Sequence, residues 1–191
     1  MIYVVTGFLR SYTTMMMHCL EAGGMTPVWD SDRDDWAATQ GTVNPNNEMR
    51  EINQNTLDDF RANPARYSGR LIKILSKYGY LNLPPWQYKV LLMMRNPEEI
   101  RQSFHRVFGK PLVYTGDSGE QVPLTDEMYY GLIFNTASEL VAAGITPVVV
   151  KGEKVIANPL GAFNALCDRG WPIDPEKAAA VVQPAERHVY V

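Results

Sequence analysis

One cation and three hydroxyl side chains follow the first apolar run of the chain. Between that run, residues 2–6, and a stretch of helix-forming residues lie Arg10, Ser11, Thr13 and Thr14. If the run is a strand and the stretch a helix, free backbone N–H groups and the positive end of the helix dipole point at this turn. Such a turn suits a phosphate or sulfate group. An ordinary strand-to-helix turn with a Ser or Thr cap is the other interpretation, and this stretch alone supports both equally.

A second set of residues that could bind an anion follows the most apolar segment, residues 89–94. A near-continuous apolar run is typical of a central strand in a parallel sheet. Arg95 comes directly after it, and Pro97 with two acidic residues then begins an amphipathic helix. Arg95 is therefore expected at the carboxyl end of the strand, where open α/β sheets bind their ligands. Ser103 lies two turns along that helix and reaches the same place if the helix lines it.

A lysine and several carboxylates are candidates for charge stabilisation and proton transfer. Lys73 interrupts an apolar strand predicted over residues 70–75, where its ammonium must reach water or an anion. A position at a strand end or sheet edge, with the side chain extended to solvent, is the alternative. Asp30 and Asp32 follow a strand predicted over residues 25–29. Acidic residues at this place could serve as a general base or bind a cation, and a solvated loop is the alternative.

The elements that must position these residues alternate between strand and helix. Apolar runs predict strands over residues 2–6, 25–29, 70–75, 89–94 and 145–151, and helical periodicity predicts helices over 15–22, 48–62, 97–108, 124–143, 155–169 and 175–182. Turn-forming residues predict loops over 36–47 and 109–123 and a turn at 152–154. This order predicts an α/β fold, a three-layer sandwich with a central, mostly parallel sheet of about five strands flanked by helices.

Composition limits the classes of function. A chain of 191 residues with 46% apolar and 20% charged residues predicts a single soluble domain, residues 1–191. The net charge of −3 does not indicate a broad nucleic-acid surface. We find no secretory signal segment and no apolar run that would span a bilayer, and the two cysteines lack metal-ligand spacing. We therefore expect a cytoplasmic protein with no metal, nucleic-acid or membrane partner.

Three segments together resemble the P-loop sulfotransferase superfamily, whose members use 3′-phosphoadenosine 5′-phosphosulfate (PAPS) as sulfuryl donor. The family's 5′-phosphosulfate loop reads roughly Pro-Arg/Lys-Ser-Gly-Thr-Thr, and residues 9–14 read Leu-Arg-Ser-Tyr-Thr-Thr. The family's 3′-phosphate site has an Arg at a strand end, then Asn/Asp-Pro, then a Ser eight residues after the Arg. Arg95, the Asn-Pro pair that follows it and Ser103 match this spacing. Residues 150–159 resemble a third family element, a strand followed by Glu-Asp-Leu and a proline.

The resemblance implies a P-loop NTPase-like sulfotransferase fold and donor contacts from Arg10, Ser11, Tyr12, Thr13, Thr14, Arg95 and Ser103. It implies that Arg10 stabilises the charge that builds up during in-line sulfuryl transfer, and that Lys73 lies beside the donor sulfate. The product of the donor would be 3′,5′-diphosphoadenosine. The acceptor would be a hydroxyl or amine of a small molecule, saccharide or peptide, bound by the loops at residues 36–47 and 110–123.

The chain departs from the family at the acceptor base and at the loop glycine. Leu75 occupies the place of the histidine that serves as base in cytosolic small-molecule members. Other branches use a glutamate after the second strand, which implies Glu48, with Glu51, Asp30 and Asp32 as alternatives. Tyr12 stands where the loop has glycine. A non-catalytic protein of this fold, binding a phosphorylated nucleotide or a protein partner, is therefore the second hypothesis.

A P-loop kinase of unusual loop sequence is a third hypothesis. The chain has no Gly-x-x-x-x-Gly-Lys-Ser/Thr motif and no acidic residue at the end of a central strand to hold magnesium. Both observations argue against ATP or GTP phosphotransfer.

Overall fold

The computed structural model describes residues 1–30, 51–76, 81–115 and 119–182. Within these residues the strands are β1 (Ile2–Gly7), β2 (Thr26–Val28), β3 (Arg70–Leu75), β4 (Tyr88–Met94), β5 (Val113–Thr115), β6 (Gln121–Pro123) and β7 (Val148–Lys151). The helices are α1 (Thr13–Ala22), α2 (Gln54–Ala62), α3 (Pro97–Phe108), α4 (Asp126–Ala142), α5 (Gly152–Ala157), α6 (Pro159–Cys167) and α7 (Pro175–Ala180), with a 3₁₀ turn at Pro64–Tyr67. None of the described helices is long and apolar enough to cross a lipid bilayer.

The main sheet is parallel, with the strand order β2-β3-β1-β4-β7. Successive side chains of its strands point to opposite faces, so each strand contributes to two apolar layers. On one face, Val5 and Leu91 pack with residues of α1, α6 and α7. On the other, Val4 and Ile72 pack with residues of α2 and α4, and Leu92 packs with residues of α3 and α4. The predicted three-layer α/β fold with a sheet of about five strands is confirmed.

Two of the predicted connections are wrong. The loop predicted over residues 109–123 contains β5 and β6, which pair antiparallel as a separate two-stranded sheet. Strands of three residues are too short to give an alternating pattern, although the turn signals between them were visible. The turn predicted at 152–154 is the first turn of α5, which begins directly after β7.

Asparagine side chains set two helix starts that apolar periodicity did not locate. The helix predicted over 48–62 begins at Gln54, because the Asn53 side chain accepts a hydrogen bond from the Thr56 N–H. The helix predicted over 155–169 is divided into α5 and α6, because Asn158 caps the second helix by accepting from the Gly161 N–H. The loop predicted over 36–47, with residues 48–50, lies outside the described residues.

The carboxyl ends of the central strands lie level with one another. Gly7 of β1 lies opposite Leu75 of β3 and Met93 of β4, and Met93 in turn lies opposite Val150 of β7. The segments that follow β1, β4 and β7 therefore leave the sheet side by side. This alignment brings together parts of the chain that are far apart in sequence.

Gly7 is the point of closest approach in this alignment. Its φ is +153°, and a Cβ at this position would lie 2.6 Å from the Met93 carbonyl oxygen and from Ser11 Oγ. Glycine is therefore needed for the turn after β1 to pass close to β4.

We predict that Gly7→Ala destabilises the fold more than Gly69→Ala does. Both glycines have a positive φ, but a Cβ at Gly69 would meet no heavy atom within 4 Å. Gly69→Ala should therefore cost only backbone strain, about 1 kcal/mol. Gly7→Ala should cost at least about 1 kcal/mol more, because its methyl group presses on a backbone carbonyl. Urea unfolding of both variants measures the difference, and equal losses would contradict the close approach.

Candidate functional site

The turn after β1 has an unusual backbone that its own serine stabilises. Arg10 and Tyr12 have φ values of 64° and 66°, in the left-handed region that residues other than glycine rarely adopt. Ser11, between them, is fully buried, and its Oγ donates to the Phe8 carbonyl oxygen at 2.6 Å. Two such residues in one short turn are a local strain of the kind found at binding sites.

The start of α1 is not capped in the ordinary way. Tyr12 is the N-cap residue and makes no side-chain capping hydrogen bond within the described chain. A strand-to-helix turn with a Ser or Thr at the cap is therefore not what the structure contains. Thr13 is buried in the first turn of the helix, and Thr14 Oγ1 accepts from Lys73 Nζ at 2.8 Å.

The structure brings together the two anion-binding groups that the sequence predicted. Arg10 Nε donates to Ser103 Oγ at 3.0 Å, and Arg95 Nη1 donates to the Arg10 carbonyl oxygen at 3.2 Å. Ser103 is buried on α3, so that helix does line the site. The two arginines and the amino-terminal end of α1 thus lie together at the carboxyl ends of β1 and β4.

Tyr12, Arg95 and Glu99 form a compact cluster beside this meeting point. The Arg95 guanidinium carbon lies 4.2 Å from the centroid of the Tyr12 ring. Arg95 Nε donates to Glu99 Oε2 at 3.0 Å, and the Tyr12 hydroxyl donates to the same oxygen at 3.4 Å. Burial raises the pKa of Tyr12, and the nearby Glu99 carboxylate raises it further, whereas Arg95 lowers it. The hydroxyl is therefore a proton donor at neutral pH.

Groups from α5 and α4 support the cluster, and the sequence did not indicate their roles. A Cβ at Gly152 would overlap the Tyr12 ring, so the ring packs directly on the α5 backbone. Glu153 Oε1 accepts from the Asn96 N–H at 3.0 Å, and the Tyr129 hydroxyl accepts from the Arg95 N–H at 3.1 Å. Burial raises the pKa of Tyr129 to about 12, which keeps this phenol neutral.

Among Glu99, Glu153 and Tyr129, only Glu99 has a sequence spacing that indicates its contact. Glu99 lies four residues after Arg95, a spacing that allows an ion pair when the second residue lies in a helix. Tyr129 and Glu153 are distant in sequence from the backbone groups they bind, and the family element that residues 150–159 resemble assigns Glu153 no contact.

Lys73 is buried and paired. It is 3% exposed, and its Nζ lies 3.4 Å from Glu51 Oε1 in addition to the contact with Thr14. The alternative of a side chain extended to solvent is wrong, because β3 lies inside the sheet between β2 and β1. Among the candidate bases, Glu51 is thereby placed against Lys73.

The other candidate bases differ in position. Asp30 accepts from the Asn53 N–H at 2.7 Å and from Thr56 Oγ1 at 3.0 Å, so both of its oxygens help to begin α2. Glu48 and Asp32 lie outside the described residues. In the described part of the chain, no group of three or more His, Cys, Asp and Glu side chains is arranged to hold a metal ion.

Comparison with known proteins adds no family. No protein-family model matches the chain, and no curated protein matches it. Among solved structures, the chain is similar to an unliganded sugar kinase from Janibacter sp. HTCC2649, with 13% identity and a TM-score of 0.35 over 96% of this chain and 95% of that chain. A likeness at this level carries no argument about fold or function. The resemblance to the P-loop sulfotransferases stays a prediction.

We predict that the buried pair of Lys73 and Glu51 contributes a large coupling energy. Lys73→Met leaves the Glu51 carboxylate buried without this cation and should cost about 3–5 kcal/mol. In a Glu51→Gln background, Lys73→Met should cost at least about 1 kcal/mol less, because residue 51 then has no carboxylate that loses its contact with the lysine. Urea unfolding of the four proteins gives the coupling.

The matched control is the pair of Arg66 and Asp59, which has a similar separation, 2.9 Å, but an arginine that is 69% exposed. Arg66→Met should change stability little, because exposed ion pairs contribute little. Independent, additive effects of Lys73→Met and Glu51→Gln would show that the pair is not coupled.

Proposed function

We propose that the chain is a PAPS-dependent sulfotransferase that transfers a sulfuryl group to a hydroxyl or amine of a small molecule, saccharide or peptide. The observation that carries the proposal is the meeting of Arg10, Ser103 and Arg95 at the carboxyl ends of β1 and β4. A nucleotide with a phosphosulfate at one end and a 3′-phosphate at the other needs two neighbouring anion sites. These two segments supply a cation and hydroxyl groups at both places.

The donor set of Arg95 fits a phosphate. A guanidinium carries five N–H donors. In the described structure, Nε bonds to Glu99 and Nη1 to the Arg10 carbonyl oxygen, and neither donor of Nη2 is used by a described residue. The Arg95 side chain is 14% exposed, so it is largely enclosed by the protein but still reached by solvent. The Nη2 donors would bind the 3′-phosphate, with Glu99 retained on Nε.

The start of α1 fits the other end of the donor. Its first backbone N–H groups, with the helix dipole behind them, suit a 5′-phosphosulfate, and Thr13 and Thr14 add hydroxyl groups. Arg10 would stabilise the negative charge that develops on the leaving oxygen during transfer. A carboxylate must take the proton of the acceptor, and Glu48 remains the predicted base, with Glu51 and Asp30 as the described alternatives.

A second candidate function is non-catalytic binding of a phosphorylated nucleotide or a protein partner. It is favoured by the state of Lys73, the cation that the resemblance places beside the sulfate. Its ammonium is almost fully buried and is engaged by Thr14 and Glu51. A cation neutralised in this way contributes less to charge stabilisation in a transfer reaction than one facing the substrate.

Two measurements separate these functions. Isothermal titration calorimetry with 3′,5′-diphosphoadenosine tests the site, and absence of binding would refute the sulfotransferase and the non-catalytic nucleotide-binding protein together, leaving only a protein partner for the second hypothesis. A screen of acceptors with sulfur-labelled PAPS then tests catalysis. Transfer of label supports the sulfotransferase, and binding without transfer to any acceptor supports the non-catalytic protein. Magnesium-dependent ATP hydrolysis would instead support the kinase hypothesis.

We predict that Arg95→Ala weakens binding of 3′,5′-diphosphoadenosine by roughly 10- to 100-fold, because a hydrogen bond to a charged group contributes about 1.5–3 kcal/mol. The matched control is Arg101→Ala on α3. Arg101 pairs with Glu98 and Asp126, away from the cluster, so its removal should leave the affinity unchanged. Calorimetric titration of the three proteins measures both effects. Equal affinities of wild type and Arg95→Ala would remove Arg95 from the site.

A further inference from the structure

Tyr12 is held by three different parts of the structure. Its ring packs on the backbone of Gly152 at the start of α5, its ring lies 4.2 Å from the Arg95 guanidinium, and its hydroxyl donates to Glu99. Because these contacts come from separate elements, they fix the ring despite the left-handed backbone at Tyr12, whose φ is 66°. A strained conformation of this kind persists only where the surroundings determine it.

These contacts act on Arg95. An arginine side chain has several freely rotating bonds, and a ligand that binds it must restrict them. Here the ring and the Glu99 carboxylate already restrict the guanidinium, and no described residue uses the two Nη2 donors. A side chain restricted before binding loses less entropy when the ligand arrives.

We propose that Tyr12 is a positioning residue that, together with Glu99 and Gly152, holds Arg95 ready for a 3′-phosphate and so makes the site select nucleotides that carry this group. The proposal rests on the proposed nucleotide site. It assigns to Tyr12 a role that the loop glycine of the resembling family cannot have, since glycine has no ring. It also assigns a role to Gly152, whose missing side chain is the space in which the ring lies.

Selectivity for the 3′-phosphate is the quantity that tests the proposal. Calorimetric competition gives the affinities of 3′,5′-diphosphoadenosine and of adenosine 5′-monophosphate, which lacks the 3′-phosphate, and their ratio is the selectivity. Tyr12→Leu should lower the ratio about three- to tenfold, because a stacked ring beneath the guanidinium is lost. Tyr12→Phe retains the ring and should restore most of the ratio. A structural defect of the turn would instead weaken both ligands together.

Gly152→Ala tests the same arrangement from the other side. Its methyl group overlaps the ring and should lower the ratio in the wild type, but not in a Tyr12→Gly background, where the ring is absent. Gly131→Ala is the control, because a Cβ at this helical glycine of α4 would meet no heavy atom within 4 Å. It should leave the ratio unchanged.

The outcomes distinguish this inference from the proposed function. If the wild type binds neither nucleotide, the proposed function fails, and this inference fails with it. If the wild type binds 3′,5′-diphosphoadenosine selectively and Tyr12→Leu keeps the full ratio, only the positioning role is overturned. If Gly152→Ala lowers the ratio equally with and without the Tyr12 ring, the pairing of the two residues is overturned.

Discussion

The parallel register between β1 and β4 is the constraint on which the rest of the site depends. It places Gly7 opposite Met93. Because Gly7 has no side chain, the Met93 carbonyl and the Ser11 hydroxyl can lie close to its backbone. The turn after β1 therefore lies against the segment that begins with Arg95. Side chains more than eighty residues apart meet because backbone hydrogen bonds align the strand ends, and not because the charges attract one another.

This alignment collects positive charge. Arg10, Arg95 and the amino-terminal end of α1 lie together, an arrangement that is unfavourable without a counter-charge. Glu99 supplies that counter-charge through Arg95 Nε, and Glu153 binds the backbone immediately after Arg95. Both carboxylates lie on the α3 and α5 side of the cluster. These carboxylates thus offset the charge of Arg95 from the α3 and α5 sides, and the start of α1 is where we propose that an anionic ligand binds.

Elements with local sequence signals could be predicted, whereas contacts that depend on tertiary packing could not. The strand over residues 70–75 and the helix over 97–108 have the predicted bounds, because an apolar run and a Pro-Glu-Glu start are local signals. The resemblance implies that Arg10 and Arg95 contact one donor, and in the structure the two residues lie together. The bonds of Tyr129 and Glu153 depend on how helices pack, which no local pattern contains. The predicted acceptor base, Glu48, lies outside the described residues.

The turn at Tyr12 shows how a motif comparison and a structure differ in what they detect. In a motif comparison, a tyrosine in place of the loop glycine indicates a loss of activity, because a side chain then enters a place where the backbone passes close to phosphate. In the folded chain the Tyr12 ring lies on Gly152 and beside Arg95. The space for the ring exists because Gly152, far along the chain, has no side chain. Tyr12 and Gly152 therefore pack as a complementary pair. The Tyr12 ring therefore occupies space that Gly152 leaves open, and in the proposed site it also positions Arg95.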